Sequence, residues 1–241
     1  ITDTGFSIAN ASLSALKERV LRINHRYFGH RYLRNILQIN SITKRLTNDE
    51  QIDLSTNLNE IKESFSDVIE RFSSTGLLSH HNAMLCSVSG LVGRASGISY
   101  DSRRDLPFAA YEDIEFHSHL RREGDVLARF NLRVSEVEES FNIIHRCLTK
   151  LKNQQTIDTV STKETQGKAL RSFSWSIAEA ARGPVFIYIA LTDHGLIRRV
   201  KIRDVSTHNW KALEYAVLHN IVPDFPLCNK SFSMAYAGTD L

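Results

Sequence analysis

The chain has 241 residues, of which 42% are hydrophobic and 24% are charged, and it carries a net charge of +3. This composition excludes a disordered chain, because apolar residues are frequent and the net charge is small. The small charge also gives no support for a nucleic-acid partner, since phosphate binding calls for a concentrated basic face. No apolar run approaches the roughly 20 residues of a membrane-spanning helix.

The three cysteines, Cys86, Cys147 and Cys228, lie far apart and include no Cys-x-x-Cys pair. Their odd number leaves at least one unpaired, which favours a reducing compartment and small buried side chains over a disulfide or a cysteine-based metal site. The chain begins with Ile, and no signal peptide is visible. We therefore expect a cytoplasmic piece of a longer protein.

Three apolar seams predict three long amphipathic helices, because residues three and four apart share one side of a helix. The seams are Leu13, Leu16, Val20, Ile23 and Tyr27; then Leu54, Leu58, Ile61, Phe65, Val68 and Phe72; then Leu127, Phe130, Val134, Val137, Phe141, Ile144, Leu148 and Leu151. Asn48 or Asp49 is placed to cap the second helix, and Gly76 to end it. Mutual burial of the seams predicts an antiparallel helical bundle over 1–153. A sustained coiled coil is the alternative.

The period changes after the bundle. The segment 154–170 is rich in Gln, Thr, Lys and Ser, which predicts a mobile loop. From 171 onwards, alternating and β-rich runs predict a strand followed by a β-hairpin with its turn at Asp193–Gly195. A helix over Asn209–His219 and a short helix opened by Pro223 and Pro226 complete a small α/β portion over 171–241. The predicted fold class is thus α+β, mainly α: a bundle followed by a small antiparallel sheet and closing helices.

Candidate chemistry is sparse. His117 and His119 could share one side of a strand, but no further metal ligands stand at suitable spacing. Glycines at 90, 93 and 97 indicate tight backbone packing more than phosphate binding. In the segment 94–104, Asp101 is expected to pin a loop by pairing with an arginine.

Two further groups of charged residues allow more than one interpretation. In the third helix, four residues at three- and four-residue spacing predict ion pairs along one exposed side; they are Asp125, Arg129, Arg133 and Glu136. Glu179 and Arg182 stand at the mouth of the hairpin. Arg182 is interpreted first as an exposed turn residue, and second as a donor into a cleft.

Six motifs share one order and spacing with a known family. They are Gly29–Arg34; Gly93–Gly97 with Asp101–Tyr111; Gly124–Arg129 with Arg133–Glu136 and Ser140; Glu179–Gly183; Arg199–Arg203; and Asp224–Leu227 with Ser231. Together they resemble the large subunits of membrane-linked, group-four nickel–iron hydrogenases and the related quinone-site large subunit of respiratory complex I. The resemblance runs from about Thr4 to Leu241 and implies a hydrogenase-large-subunit-like fold. It assigns motif or structural roles to Arg94, Asp101, Arg103, Asp125, Arg129, Arg133, Glu136 and Glu179.

The metal-ligand positions depart from this family. Its hydrogenases hold nickel and iron with two Cys-x-x-Cys pairs, because soft thiolates suit these metals. Aligned on Asp224 and Ser231, the second pair falls on Ala235 and Gly238, which cannot ligate a metal, and Cys228 lies outside the motif. The first pair, and the quinone-contacting His and Tyr of complex I, belong to an N-terminal half that this sequence lacks. We therefore expect no metal or cofactor on this chain.

Arg182 is the one candidate catalytic residue that the resemblance supplies. It matches the family arginine that approaches the diatomic ligands of the metal centre, although Ala181 replaces the usual Pro before it. Without a metal, Arg182 would line a vestigial cavity.

The resemblance implies the C-terminal part of an oxidoreductase large subunit, cytoplasmic and peripheral on the inner face of the cell membrane. Such a chain would frame an electron-transfer route, with quinone as a candidate substrate, and would be inactive as an isolated fragment. The expected partners are an iron–sulfur small subunit that carries the cluster, and complex I-like accessory and membrane subunits; NAD binding and electron input belong to other subunits. The alternatives are a scaffold that holds a redox complex together without a site of its own, and an unrelated helical adaptor.

Overall fold

A computed structural model of the protein describes residues 7–38, 41–42, 44–66, 75–153 and 172–239. Its helices are α1 Ser7–Phe28, α2 Asn48–Ser66, α3 His80–Leu85, α4 Gly90–Ala95, α5 Ser102–Asp105, α6 Val126–Asn153, α7 Ser206–Ala216 and α8 Phe225–Phe232. Its strands are β1 Leu37–Gln38, β2 Ser41–Ile42, β3 Phe173–Ala180, β4 Gly183–Leu191 and β5 Ile197–Arg203. A mainly helical fold with a small three-stranded antiparallel sheet is thereby confirmed.

The three long helices α1, α2 and α6 follow the three predicted apolar seams. The predicted cap of α2 is wrong by one or two residues, because Thr47 caps it. The Thr47 hydroxyl accepts from the Glu50 backbone N–H at 3.3 Å, and the Glu50 carboxylate accepts from the Thr47 backbone N–H at 2.9 Å. This reciprocal pair satisfies two amide donors at the start of the helix. Val68 and Phe72 lie outside the described residues, so the predicted end of this helix at Gly76 stays a prediction. The bundle arrangement stays a prediction as well.

The described residues fall into two compact units, one within 1–70 and 138–165, the other within 71–137 and 166–241. In the first unit, Tyr27, Leu54 and Leu148 form a buried apolar cluster. The Tyr27 hydroxyl donates to Asp53 Oδ2 at 2.5 Å, so the one polar atom of that ring has an acceptor. The predicted domain boundaries at 153 and 171 stay a prediction, and the predicted loop over 154–170 lies outside the described residues.

The core of the second unit joins α3 and α4 to α7 and α8. Its buried members are Leu78, Ala83, Cys86, Val88, Val92, Ala212, Leu213, Ala216, Cys228 and Phe232. All three cysteines are free, and Cys86 and Cys228 serve as small buried side chains, as predicted. Each large apolar side chain buried here contributes roughly 1.5–3 kcal/mol.

The sheet has the order β3-β4-β5, and both strand pairs are antiparallel. The pairing of β3 with β4 runs from Phe173 opposite Ala190 to Ala180 opposite Gly183, so the two strands form a hairpin with a two-residue turn. The pairing of β4 with β5 contains an irregularity between Ala190 and Leu191. The predicted hairpin, with its turn at Asp193–Gly195, consists of β4 and β5 and is confirmed. The strand before it, β3, pairs with β4.

Gly90, at the start of α4, packs directly against the β3–β4 turn. Its φ is +68°, and a Cβ there would overlap the Arg182 carbonyl oxygen and lie 2.5 Å from Gly183 Cα. A Cβ on Gly93 would lie 2.9 Å from the Val88 carbonyl oxygen. These glycines allow backbone segments to touch, as the sequence indicated.

Arg129 of α6 is fully buried, so the predicted ion pair along an exposed helix side is wrong for this residue. Its guanidinium donates to Ser231 Oγ at 2.9 Å, and to the carbonyl oxygens of Gly124 and Gly76 at 2.7 Å each. It also lies 4.6 Å from the centre of the Phe232 ring. Burial lowers the pKa of Arg129 to about 10. One side chain thus joins three segments that are distant in sequence.

Arg129→Met should destabilise the protein by about 3–5 kcal/mol, because it leaves buried carbonyl and hydroxyl oxygens without their donor. Urea unfolding of the wild type and the variant measures this loss. The matched control is Arg22→Met, which removes an exposed ion pair with Glu18 and should cost less than about 1 kcal/mol. Equal losses in the two variants would contradict the role assigned to Arg129.

Candidate functional site

A buried charged cluster in the second unit is centred on Arg94 of α4, whose side chain is only 4% exposed. Its Nη2 lies 2.5 Å from Glu136 Oε1 of α6, and its Nη1 lies 2.9 Å from Glu179 Oε1 of β3. The same Nη1 lies 3.6 Å from Asp101 Oδ2 and donates to the Tyr100 carbonyl oxygen at 3.3 Å. Three carboxylates from three separate segments therefore surround one cation.

Asp101 fixes the loop before α5, as predicted. Its Oδ1 accepts from the Arg103 backbone N–H at 3.1 Å, which caps the short helix. The Arg103 guanidinium binds both carboxylate oxygens, at 2.9 and 2.6 Å, and the Ser118 hydroxyl donates at 2.9 Å. Burial alone would raise the pKa of Asp101, but the Arg103 hydrogen bonds and the Arg94 charge lower it to about 2.

Glu179 attaches β3 to α5 and is almost fully buried at its side chain. Its Oε2 accepts a short hydrogen bond from the Ser102 hydroxyl and a second one from the Ser102 backbone N–H at 3.3 Å. Its other oxygen faces Arg94. Each oxygen of this buried carboxylate thus has a donor, which offsets the cost of removing the charge from water.

The charges of the cluster nearly balance. Two arginines, Arg94 and Arg103, face three carboxylates, Asp101, Glu136 and Glu179. Burial opposes the charge of Arg94, but Glu136, Glu179 and Asp101 raise its pKa above the usual value. Arg133 supplies a third cation: burial lowers its pKa, the Glu136 charge raises it, and the Arg182 charge lowers it further.

Arg182 is exposed in the β3–β4 turn, as the first interpretation of the sequence had it. Its Nε donates to the Ser233 carbonyl oxygen at 2.6 Å, which joins the turn to the end of α8.

Asp125 and Arg129 stand apart from this cluster. Asp125 Oδ1 accepts from the Ala128 backbone N–H at 2.7 Å and so caps the start of α6. Arg129 binds the segments around Gly76 and Ser231. Of the eight motif residues, the structure thus brings together Arg94, Asp101, Arg103, Glu136 and Glu179. Arg133 lies three positions before Glu136 on α6.

Position 238, which aligns with the last cysteine of the second pair, does not fit a metal-binding thiolate. Gly238 is buried, and a Cβ there would lie 2.8 Å from Asp204 Cγ and 3.1 Å from Asp204 Oδ1. Ala235 donates its backbone N–H to Ser206 Oγ at 3.0 Å, and Trp210 Nε1 donates to Thr239 Oγ1 at 2.8 Å. The turn that carries both positions is therefore bound to the start of α7, with Asp204 in the space that a side chain at 238 would need.

Within the described parts of the chain, no group of three or more His, Cys, Asp or Glu side chains could hold a metal ion. His117 and His119 lie in a segment without regular secondary structure, not on a strand.

Three residues of these sites were not identified from the sequence. The Ser102 hydroxyl donates to Glu179, and the Ser118 hydroxyl donates to Asp101. Asp204 fills the space beside Gly238. Ser102 could have been identified from the sequence, because it directly follows the helix-capping residue Asp101. The sequence carries no local signal for the other two, because their partners are distant along the chain.

Residues 3–174 match the protein family described as "Respiratory-chain NADH dehydrogenase, 49 Kd subunit". The chain belongs to this family. It is similar to an NADH-quinone oxidoreductase chain of Chloroherpeton thalassium, with 32% identity covering 65% of this chain and 40% of the relative. It is also similar to the carbon monoxide-induced hydrogenase of Rhodospirillum rubrum, with 27% identity covering 72% of this chain and 46% of the relative. The resemblance inferred from the motifs is confirmed, and the chain spans less than half of either relative.

The fold also matches a chain of the membrane-bound sulfane sulfur reductase, described as an archaeal respiratory membrane complex. The TM-score is 0.88 at 21% identity, over 100% of this chain and 68% of that chain. In the described residues, no helix combines the length and the apolar character that crossing a membrane requires.

Asp101→Asn should destabilise the protein by about 3–5 kcal/mol at neutral pH, because it leaves the half-buried Arg103 and the buried Arg94 short of a counter-charge. The pKa of Asp101 is lowered on folding, so its contribution is complete above about pH 4 and is lost as the pH falls through about 2. Urea unfolding from pH 7 to pH 2 should show the two proteins converging at the acid end.

The control for this experiment is Glu214→Gln at an exposed position of α7, which should change stability by less than about 0.5 kcal/mol at any pH. A stability difference for Asp101→Asn that persisted undiminished at pH 2 would contradict the ionic role of Asp101.

Proposed function

We propose that this chain is part of a hydrogenase-like and complex I-like large subunit that frames an electron-transfer site without binding nickel. Family membership and the NADH-quinone oxidoreductase and hydrogenase relatives support the respiratory assignment. The observation that carries the nickel-free part is the pair Ala235 and Gly238, with Asp204 2.8 Å from the Cβ position at 238. A cysteine there would have to displace a carboxylate that also binds the Ser206 backbone N–H at 2.7 Å.

The proposed partners, location and electron acceptor rest on the names of the relatives. We propose that the chain works beside an iron–sulfur small subunit and complex I-like accessory and membrane subunits, peripheral on the inner face of the cell membrane. Quinone is the proposed electron acceptor, and NAD is proposed to bind elsewhere in the complex. The names of the NADH-quinone oxidoreductase relatives and the fold of the membrane-bound reductase support this assignment.

Within this proposal, the residues of the charged cluster hold other parts of the chain in position and do not take part in the reaction. Arg94, Asp101 and Glu179 are buried and fully engaged with one another, so they hold α4, α5 and β3 in place. Gly90 and Gly183 then fix the turn that carries Arg182 against α4. The Nε of Arg182 is the nitrogen that donates to Ser233, which leaves the terminal amines available to donate to a bound group.

A second candidate function is a scaffold that holds a redox complex together and has no site of its own. The completeness of the ion pairs around Arg94 favours it, because a buried network without a spare donor serves structure.

The complex purified from its source, after growth with added nickel, should contain far less than one nickel per copy of this chain. The reason is that neither Ala235 nor Gly238 supplies a thiolate. Mass-spectrometric metal analysis, with iron measured in the same sample, checks this and confirms that metal centres survived purification. One equivalent of nickel would contradict the proposal.

Arg182→Met separates the two candidate functions. If Arg182 donates to a bound group, the turnover of the intact complex should fall by about tenfold or more, since hydrogen bonds to a charged donor contribute about 1.5–3 kcal/mol. Native mass spectrometry verifies assembly. Arg104→Met, at an exposed arginine paired with Asp105, is the control and should leave turnover unchanged. Unchanged turnover of Arg182→Met in an intact complex would favour the scaffold.

A further inference from the structure

One face of the three-stranded sheet presents aromatic side chains to solvent. Phe173 is 70% exposed and Trp175 is 58% exposed, both on β3. They pair across the strands with Tyr188 and Phe186 of β4, at ring-centre distances of 6.0 and 5.9 Å. The rings of Trp175 and Phe186 are stacked, with 27° between their planes. These four rings form a broad apolar surface that the described residues leave uncovered.

The next strand places basic residues beside these rings. In the β4–β5 register, Arg199 stands opposite Ala190, Lys201 opposite Tyr188 and Arg203 opposite Phe186, so the three cations share the aromatic face. They are spaced about 6.6 Å apart along the strand, at about 3.3 Å per residue. All three are exposed.

These cations have no counter-charge on the sheet. No carboxylate of the described residues forms an ion pair with Arg199, Lys201 or Arg203. Arg203 instead lies beside an imidazole, with its Nη2 3.4 Å from His208 Nδ1. Glu179 is the acidic residue that the strands place on this face. It lies near the C-terminal end of β3, where it accepts hydrogen bonds from Arg94 and Ser102.

The opposite face of the sheet has a different chemistry. Alternation along the strands places small residues of β3 there, Ser174, Ser176 and Ala178, and aliphatic residues of β4 and β5, among them Ile187 and Val200. From the paired parts of the strands, that face presents no aromatic ring, and Arg198 is the charged residue that alternation along β5 places there. Aromatic and basic residues are therefore concentrated on one face, and arginine, tyrosine and tryptophan are the residues enriched at protein interfaces.

We propose that this surface binds a segment of a partner protein that carries aspartate or glutamate next to apolar side chains. The surface consists of Phe173, Trp175, Phe186, Tyr188, Arg199 and Lys201 and is called the aromatic–basic face. Charge complementarity identifies the partner: an apolar stretch covers the rings, and its carboxylates meet the row of cations that repel each other along β5. A protein fits better than a membrane, because the rings pair across the strands into one surface, with Trp175 stacked on Phe186 and Phe173 tilted against Tyr188, and such paired aromatic and basic side chains are typical of protein interfaces.

The test uses the full chain in its native complex, with 4-benzoylphenylalanine in place of Phe173 as a photo-crosslinker. Irradiation should join residue 173 to a segment of another polypeptide that contains both apolar and acidic residues, identified by peptide mass spectrometry. Arg199→Glu with Lys201→Glu should lower the crosslinking yield about tenfold or more, since the charge pairs would become repulsive. Changing the identified acidic residues to lysine in the partner should restore the yield.

The matched control is Lys17→Glu with Lys211→Glu, which changes the net charge by the same amount at two exposed positions off this face. It should leave the yield unchanged. Circular dichroism verifies the fold of each variant, and Arg199→Gln with Lys201→Gln replaces the charge reversal if that variant does not fold.

Three results would overturn the proposal: crosslinks to a second copy of this chain, crosslinks to lipid or nucleic acid, or no rescue by the charge swap in the partner. Sedimentation with vesicles of phosphatidylglycerol and phosphatidylcholine supplies a separate test. Vesicle binding that is lost in Arg199→Glu with Lys201→Glu would identify an anionic membrane as the occupant and contradict a protein partner. None of these results depends on nickel content, so this proposal and the proposed function can fail separately.

Discussion

The fold of the second unit depends on the compensation of one buried positive charge. Moving a guanidinium out of water costs several kcal/mol, and the cost is recovered only if carboxylates and hydrogen bonds replace the lost hydration. Arg94 obtains them from Asp101, Glu136 and Glu179, which belong to the loop before α5, to α6 and to β3. If any one of these segments moves away, Arg94 loses one of its buried carboxylate partners. The ion pairs therefore make the packing of α4, α5, α6 and β3 cooperative, beyond what their apolar contacts alone provide.

The sequence predicts those parts of the fold that depend on local patterns. Apolar seams with three- and four-residue spacing locate α1, α2 and α6, and the alternation after 171 locates the sheet. The pairing of Asp101 with Arg103 is likewise local, because the two residues are two positions apart. By contrast, Arg94 and Glu179 are 85 positions apart, and only the tertiary fold brings them together. A shared family motif indicated that these residues matter, but not that they meet.

The wrong predictions for Arg129 and for the cap of α2 have one physical cause. In each case the local sequence pattern allowed one interaction, but the folded chain forms another with a better-placed partner. Spacing of four residues permits Arg129 to form a surface ion pair, but three oxygens from Gly76, Gly124 and Ser231 stand where its donors can reach them inside the protein. Asn48 and Asp49 are good capping residues, but Thr47 has Glu50 three positions later and completes a reciprocal cap. Asp204 beside Gly238 could not be predicted at all, since it depends on how the last turn packs on α7.

The sheet connects the buried charges to the aromatic–basic face. At one end of β3, Glu179 is held by Arg94 and Ser102, and the adjoining turn is pressed against Gly90. At the other end of the same strand, Phe173 and Trp175 are exposed. A strand that is fixed at its base by buried hydrogen bonds and paired along its whole length has little freedom at its tip. Binding at a surface held this way loses less conformational entropy than binding to a mobile hairpin. The same ion pairs that stabilise the core therefore prepare the exposed end of the sheet for a partner.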